Sequence, residues 1–385
     1  MTIYLVLFIN ILNQIGFSGS RVAVSLYALE IGASQFMVGM VISLYALCPV
    51  LLSIVIGKFS DRVEPRLPMI VGTAGVGMTL LLLAVFPGYT MLYVLSLFVG
   101  FFHQLYLIPM EAAVGGLSGS DKRAANYAVV AMGHSAANFL GPVVAGLSID
   151  YIGHLQVFVV LASFAVVPLL ILFFKPHLLP RTGRHAAAQA RGSILDLWRI
   201  RDLRNILIAG SIITSAWDLF QFYLPIYGHS IGLSASAIGA ILGTVSVATF
   251  LIRGIVPFLI RKLTEAEILS YSVFIAASAF ILLPLFVNPY ALAAVAFLLG
   301  LGVGCAQPMA MSLMYVLTPP GRIAESTGLR KTTGNTMHML VPLLFGSVGS
   351  AFGFGTVFIS NFVILTAGGL LIRNSGMTHH DRRPK

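Results

Sequence analysis

Apolar residues in this chain come in long unbroken runs, and each run ends in a short patch of glycine, proline and charge. A helix that crosses a bilayer needs about 20 mostly apolar residues. Twelve runs meet that length, at roughly 3–27, 35–57, 67–86, 91–116, 124–149, 154–174, 204–228, 235–260, 268–287, 290–317, 324–350 and 354–373. No basic leader and no small-residue cleavage site precede the first, so it is expected to be a retained span and not a cleaved signal. The pattern predicts an all-α integral membrane protein with 12 transmembrane helices.

Composition agrees. Of 385 residues, 58% are hydrophobic and 9% charged, against about 25% charged in soluble domains. A soluble fold has no way to bury that much apolar surface, which excludes a soluble enzyme and a disordered chain. The net charge of +10 suggests a nucleic-acid partner until the charges are placed. With the N-terminus inside, every Lys and Arg except Arg21 falls on cytoplasmic loops, the middle linker, the C-terminal tail or their flanking helix ends. The excess charge is therefore a topology signal facing anionic lipid, and no nucleic acid is expected. Cys48 and Cys305 lie inside apolar runs and read as buried thiols, with no disulfide framework, metal or cofactor implied.

The chain also repeats. Shifted by 200 residues, Tyr27–Ser34 with Gly39 falls on Tyr227–Ser234 with Gly239, while Pro142 and Gly146 fall on Pro342 and Gly346. One residue out of register, Pro109-Met110 matches Pro308-Met309. Six spans per copy is an even number, so the copies share one orientation. This divides the chain into a six-helix bundle over 1–175, a basic cytoplasmic linker over 176–203 and a second bundle with a short cytoplasmic tail over 204–385. The linker ends in Ser193–Arg204, which reads as a short interfacial helix with a capping-box-like start at Ser193 and Asp196, anchored by Trp198.

Two six-helix halves around a basic loop resemble the major facilitator superfamily, in particular its 12-helix branch of drug:proton antiporters. Gly57-Lys-Phe-Ser-Asp61-Arg62-Val-Glu-Pro-Arg66, between spans 2 and 3, resembles that family's loop signature. Gly133, followed by Gly141-Pro142-Val-Val-Ala-Gly146 on span 5, resembles the signature associated with antiporters. Glu64 and Pro65 depart from the loop signature, Ser96 stands where the drug-exporter pattern has an arginine four residues before Gly100, and Asp61 falls on Arg261 in the second copy. The resemblance implies a conformational latch made by Gly57, Asp61, Arg62, Arg66 and Glu111, with Glu111 pairing with Arg66 or Arg62 and Asp61 facing the start of span 11.

Ionisable groups inside hydrocarbon are costly and are functional candidates by default. Here they are Glu111, Asp218, His103, His134, His338, Arg330 and Lys331. Asp218 lies about fourteen residues, or about 21 Å, into span 7, on one face with Ser211, Thr214, Ser215 and Gln221. It is the first candidate for a reversibly protonated coupling site, and His103 on span 4 the second. A structural hydrogen bond is the alternative for each. Asn10, Asn13, Gln14, Phe17 and Arg21 share one stripe of span 1, which lipid would not tolerate. The resemblance implies that spans 1, 4, 7 and 10 line a central cavity. Tyr106, Trp217, Phe222, Gln307 and His338 complete the list of cavity candidates, with helix packing as the alternative for the aromatics.

Gly16-Phe17-Ser18-Gly19 matches the short serine motif of rhomboid-type proteases, but twelve spans in two repeats do not fit that fold. The reading is a secondary active transporter and not an enzyme, working by alternating access. Proton-coupled efflux of a small amphipathic or hydrophobic compound is the first choice. Proton-coupled uptake of a polar metabolite and lipid or lysolipid flipping on the same fold are the alternatives. The expected partners are a small-molecule substrate, protons and the lipid bilayer. The expected form is a monomer in the bacterial inner membrane with both termini cytoplasmic.

Overall fold

The computed structural model of the chain describes residues 2–60, 63–117, 123–175, 194–319 and 322–374. They form α1 (Thr2–Glu30), α2 (Gln35–Ser60), α3 (Arg66–Val85), α4 (Tyr89–Leu117), α5 (Arg123–Ile152), α6 (Gln156–Ser163), α7 (Val166–Phe174), α8 (Ile194–Arg199), α9 (Arg201–Ser230), α10 (Ala235–Leu259), α11 (Glu265–Leu282), α12 (Pro289–Leu317), α13 (Ile323–Phe352) and α14 (Phe354–Asn374). Among the described residues, nine segments are long and apolar enough to cross a membrane. Large apolar side chains such as Val85, Phe173 and Leu285 stand exposed, which matches a lipid solvent and would promote association in water.

The run at 154–174 becomes α6 and α7 because Pro168 has no N–H to give the carbonyl of Phe164. The chain passes the gap on two tighter bonds, Phe164 N to Leu161 O and Ala165 N to Ala162 O. Thr264 and Glu267 form a capping box at the start of α11, where each side chain meets the other's backbone N–H. Ser193, the expected cap before α8, lies outside the described residues. In α8, Leu197 is buried and Trp198 exposed.

The repeat read from sequence reappears as geometry. The positive-φ glycines Gly32 and Gly232 end α1 and α9, and Gly153 and Gly353 follow α5 and α13, each pair 200 residues apart. A Cβ on Gly100 would strike the Tyr45 backbone, and one on Gly300 would strike the Val245 backbone, so α2–α4 and α10–α12 approach through equivalent residues.

The helices divide into two compact units, residues 1–186 with 224–243, and 187–223 with 244–385. The sequence division falls at the linker, and the units differ from it by the segment 224–243. That segment packs on α5 within the first unit. Gly146 lies against Ala235, and Gly239 against Pro142. Asp150, one residue past the span at 124–149, closes this seam by accepting the backbone N–H of Ala235 at 3.0 Å and of Ser236 at 2.8 Å. Elsewhere in the first unit, α1 packs along α5, while Ile9, Met69, Tyr106 and Met110 share a buried cluster. In the second unit α11 lies between α12 and α14, and Tyr223 meets Phe354 and Phe358 edge-on.

Candidate functional site

Each unit holds a polar constellation among apolar helices. In the second unit, Asp218 of α9 is fully buried, and His338 of α13 brings Nδ1 to 2.5 Å from its Oδ2. This is an ion-pair distance. The His338 side chain is 40% exposed and the Asp218 side chain 0%. The pair thus joins a sealed carboxylate to an imidazole that remains accessible. Of the other candidates on α9, Ser215 is buried, and Trp217 and Gln221 are half-buried. Phe222 is 1% exposed and meets Tyr223 edge-on.

In the same unit, α9, α12 and α13 leave an open cleft. It is lined by Ser211 and Thr214 from α9, Gln307 from α12, and Arg330 and Thr333 from α13. The sequence marks Arg330 as a costly intramembrane charge without assigning it to the site. The signal was available, since Arg330, Gly334 and His338 recur every four residues along one helix face.

In the first unit, the span 1 stripe meets α4 and α5. Gln14 donates from Nε2 to Asn138 Oδ1 at 3.3 Å, and its Oε1 lies 3.1 Å from His103 Nε2. With the amide in this orientation, Oε1 accepts and the imidazole donates. His103 also stacks on Phe17 at 3.7 Å between ring centroids, and Phe17 turns its edge to Tyr45. Tyr106 O–H reaches Asn10 Oδ1 at 3.5 Å, and the Asn13 amide donates to Ile9 O at 3.1 Å. Asn10 Nδ2 is buried with no hydrogen-bond partner among the described residues. Arg21 is half-buried further along the stripe. The structure therefore brings Asn10, Gln14, Phe17, His103 and Tyr106 together, while the amide of Asn13 goes to its own helix.

The motif residues fall differently. Gly141 is pressed against Ser18 and Gly19, and Gly133 faces Ile11, so the span 5 motif lets α1 and α5 approach closely, as Gly146 does at Ala235. Ser18 donates to Ala137 O at 3.1 Å within the same contact, so the protease-like tetrapeptide is a helix-packing element. Gly57 faces open space. Asp61 and Arg62 lie outside the described residues. Arg66 directs its guanidinium to the carbonyls of Leu172 and Phe173, both at 2.7 Å, at the end of α7. A cation serves there because the last carbonyls of a helix lack intrahelical partners and carry partial negative charge.

Apolar helices that bury a carboxylate against a partly exposed imidazole and hold a second polar lattice, built on a parallel repeat, define a polytopic membrane transporter. Comparison with known proteins makes this specific. The profile of the Major Facilitator Superfamily matches residues 6–342, and the chain belongs to that family. A multi-drug resistance efflux pump PmrA homolog from Lactococcus lactis subsp. lactis (strain IL1403) is 21% identical over 334 residues, 85% of this chain and 82% of that protein. A POT family transporter solved with 5-aminolevulinic acid superposes with a TM-score of 0.84 at 14% identity, covering 99% of this chain and 96% of its own. A point mutant of the nucleoside transporter NupG gives 0.79 at 14% identity over 97% and 99%. At these identities the solved structures establish the fold of 12 helices in two repeated bundles and nothing narrower.

Proposed function

We propose that this transporter is driven by the proton gradient and exports a small amphipathic or hydrophobic compound. The observation that carries the reading is the contact between Asp218 and His338. An accessible imidazole can relay a proton from water through Nδ1 to the sealed carboxylate Oδ2. Protonating the carboxylate removes one charge from a low-dielectric interior and so favours a different packing of the helices that hold it. Alternating access then converts proton movement into substrate movement. Export is supported by the distant relative named as an efflux pump homologue and by the glycine motif of α5.

On this reading the lattice of Asn10, Gln14, Phe17, His103 and Tyr106 contributes to the substrate cavity of the first unit, with His103 tuning it. Gly57, Asp61, Arg62, Arg66 and Glu111 form the cytoplasmic latch. The protein works as a monomer in a bacterial inner membrane. Proton-coupled uptake of a polar metabolite is the second reading, favoured by the polar lining of the cleft beside Arg330. The test is substrate-dependent proton flux in proteoliposomes with the gradient imposed in each direction. Export coupling predicts substrate movement against proton movement, and movement of both in the same direction selects the second reading. Flux that ignores the proton gradient rejects both.

A further inference from the structure

The cleft between α9, α12 and α13 is kept open by its glycines. Gly210 and Gly334 line it, and a Cβ added to either would meet nothing within 4 Å. Gly300, Gly302 and Gly304, in the same unit, are instead pressed against backbone and side chains of α10 and α11. Close packing therefore accounts for the second set and not for the first.

Its chemistry is one-sided. Among the described residues that line it, Arg330 carries the charge. The hydroxyls of Ser211, Thr214 and Thr333 already donate to the carbonyls of Leu207, Gly210 and Arg330, each at 2.9 Å. The polar character of the walls therefore rests on the guanidinium and the Gln307 amide. A guanidinium has several N–H donors, so it can serve a ligand as well as a protein neighbour. Its planar fork matches a carboxylate in geometry and charge and repels a cation. The cleft also adjoins the coupling pair. Asp218 lies one turn beyond Thr214 on α9, and His338 one turn beyond Gly334 on α13, about 6 Å along each axis.

We propose that this cleft binds the acidic head group of the transported molecule, a carboxylate or a related small organic acid, with Arg330 as the recognising charge. The proposal rests on the transporter reading above and narrows its substrate to amphipathic acids. The apolar part of such a molecule would extend toward Ile213 and Ala310, which also line the cleft.

Benzoate, benzyl alcohol and benzylamine share one ring and differ in head charge, so they serve as probes. Binding to the purified full-length protein in detergent is measured by calorimetry and by thermal shift. Benzoate is expected to bind and stabilise the protein, with the alcohol and amine weaker. Arg330→Gln should weaken benzoate by about 10- to 100-fold, the range for a lost charged hydrogen bond, with partial recovery in Arg330→Lys. Gly334→Leu fills the cleft at a position with free space and leaves Arg330 in place, so it should fold and lose benzoate binding even if Arg330→Gln does not fold. Equal response to the three probes, or benzoate binding that survives Gly334→Leu, overturns the proposal. These assays need no gradient. Arg330-dependent benzoate binding beside proton-independent flux would leave the cleft standing and reject proton coupling, and the converse result would separate the two in the other direction.

Discussion

His338 Nδ1 approaches Asp218 Oδ2 to 2.5 Å across α13 and α9, at the point where a fully buried carboxylate meets a side chain that is 40% exposed. Removing one member of a buried pair costs about 3–5 kcal/mol when a charge is left behind uncompensated, and removing both costs much less. His338→Ala should therefore destabilise the protein more than Asp218→Asn, and the double variant should recover most of the loss. Thermal unfolding in detergent across the four proteins measures this, and strict additivity would show that the two groups do not interact.

Coupling makes a separate demand on the same carboxylate. Asp218→Asn resembles the protonated acid and has no proton to cycle. The variant should bind substrate with a flattened dependence on pH between about 5.5 and 8.5 and fail to move it against its gradient. His103→Gln should act more mildly, since His103 is held by Gln14 and Phe17 in the other unit. Normal uphill transport by Asp218→Asn would assign the coupling site elsewhere.

Asp150 predicts a local response to acid at the start of α10. Burial alone would raise its carboxyl, but the hydrogen bonds from Ser236, Ala235 and Ser234 outweigh that and hold it below the ordinary aspartate value. A group lowered in the folded state stabilises above its unfolded pKa and loses that contribution as pH falls through the folded one. The cap should hold at neutral pH and loosen only in strong acid. Amide exchange at Ala235 and Ser236 reads it directly, and Asp150→Ala should speed that exchange at neutral pH, corresponding to a lost cap of about 0.5–2 kcal/mol.

Two glycines should respond in opposite directions to the same substitution. A methyl group on Gly100 meets the Tyr45 backbone, whereas on Gly334 it meets nothing. Gly100→Ala should lower stability by about 1–3 kcal/mol through overpacking. Gly334→Ala should raise it by up to about 1 kcal/mol through helix propensity. Midpoints of thermal unfolding decide both, and equal shifts would mean that the two environments do not differ.

The charge asymmetry predicts that position 185 in the linker and position 379 in the tail face the cytoplasm. Cysteines introduced as His185→Cys and His379→Cys should resist an impermeant reagent in intact cells and react once the membrane is opened. Ready labelling from outside would reverse the topology.

The sequence by itself determined the helices, their lipid environment and the repeat, because run length against bilayer thickness, charge placement and the 200-residue match each act along the chain without long-range contacts. It singled out Asp218, His103 and the span 1 stripe, because polar groups are costly in hydrocarbon wherever they later pack. Only the tertiary structure chose their partners. It gave Asp218 the imidazole of His338, gave Arg66 the carbonyls of Leu172 and Phe173, and sealed Phe222 against Tyr223. It also turned two glycines on different helices into the open walls of a cleft around Arg330. The physical reason is that a helix sequence specifies which face is polar, while the rotation and axial offset of neighbouring helices decide which polar groups meet. Those are set by side-chain interdigitation between residues far apart in the chain, over distances of a few ångströms that no local pattern encodes.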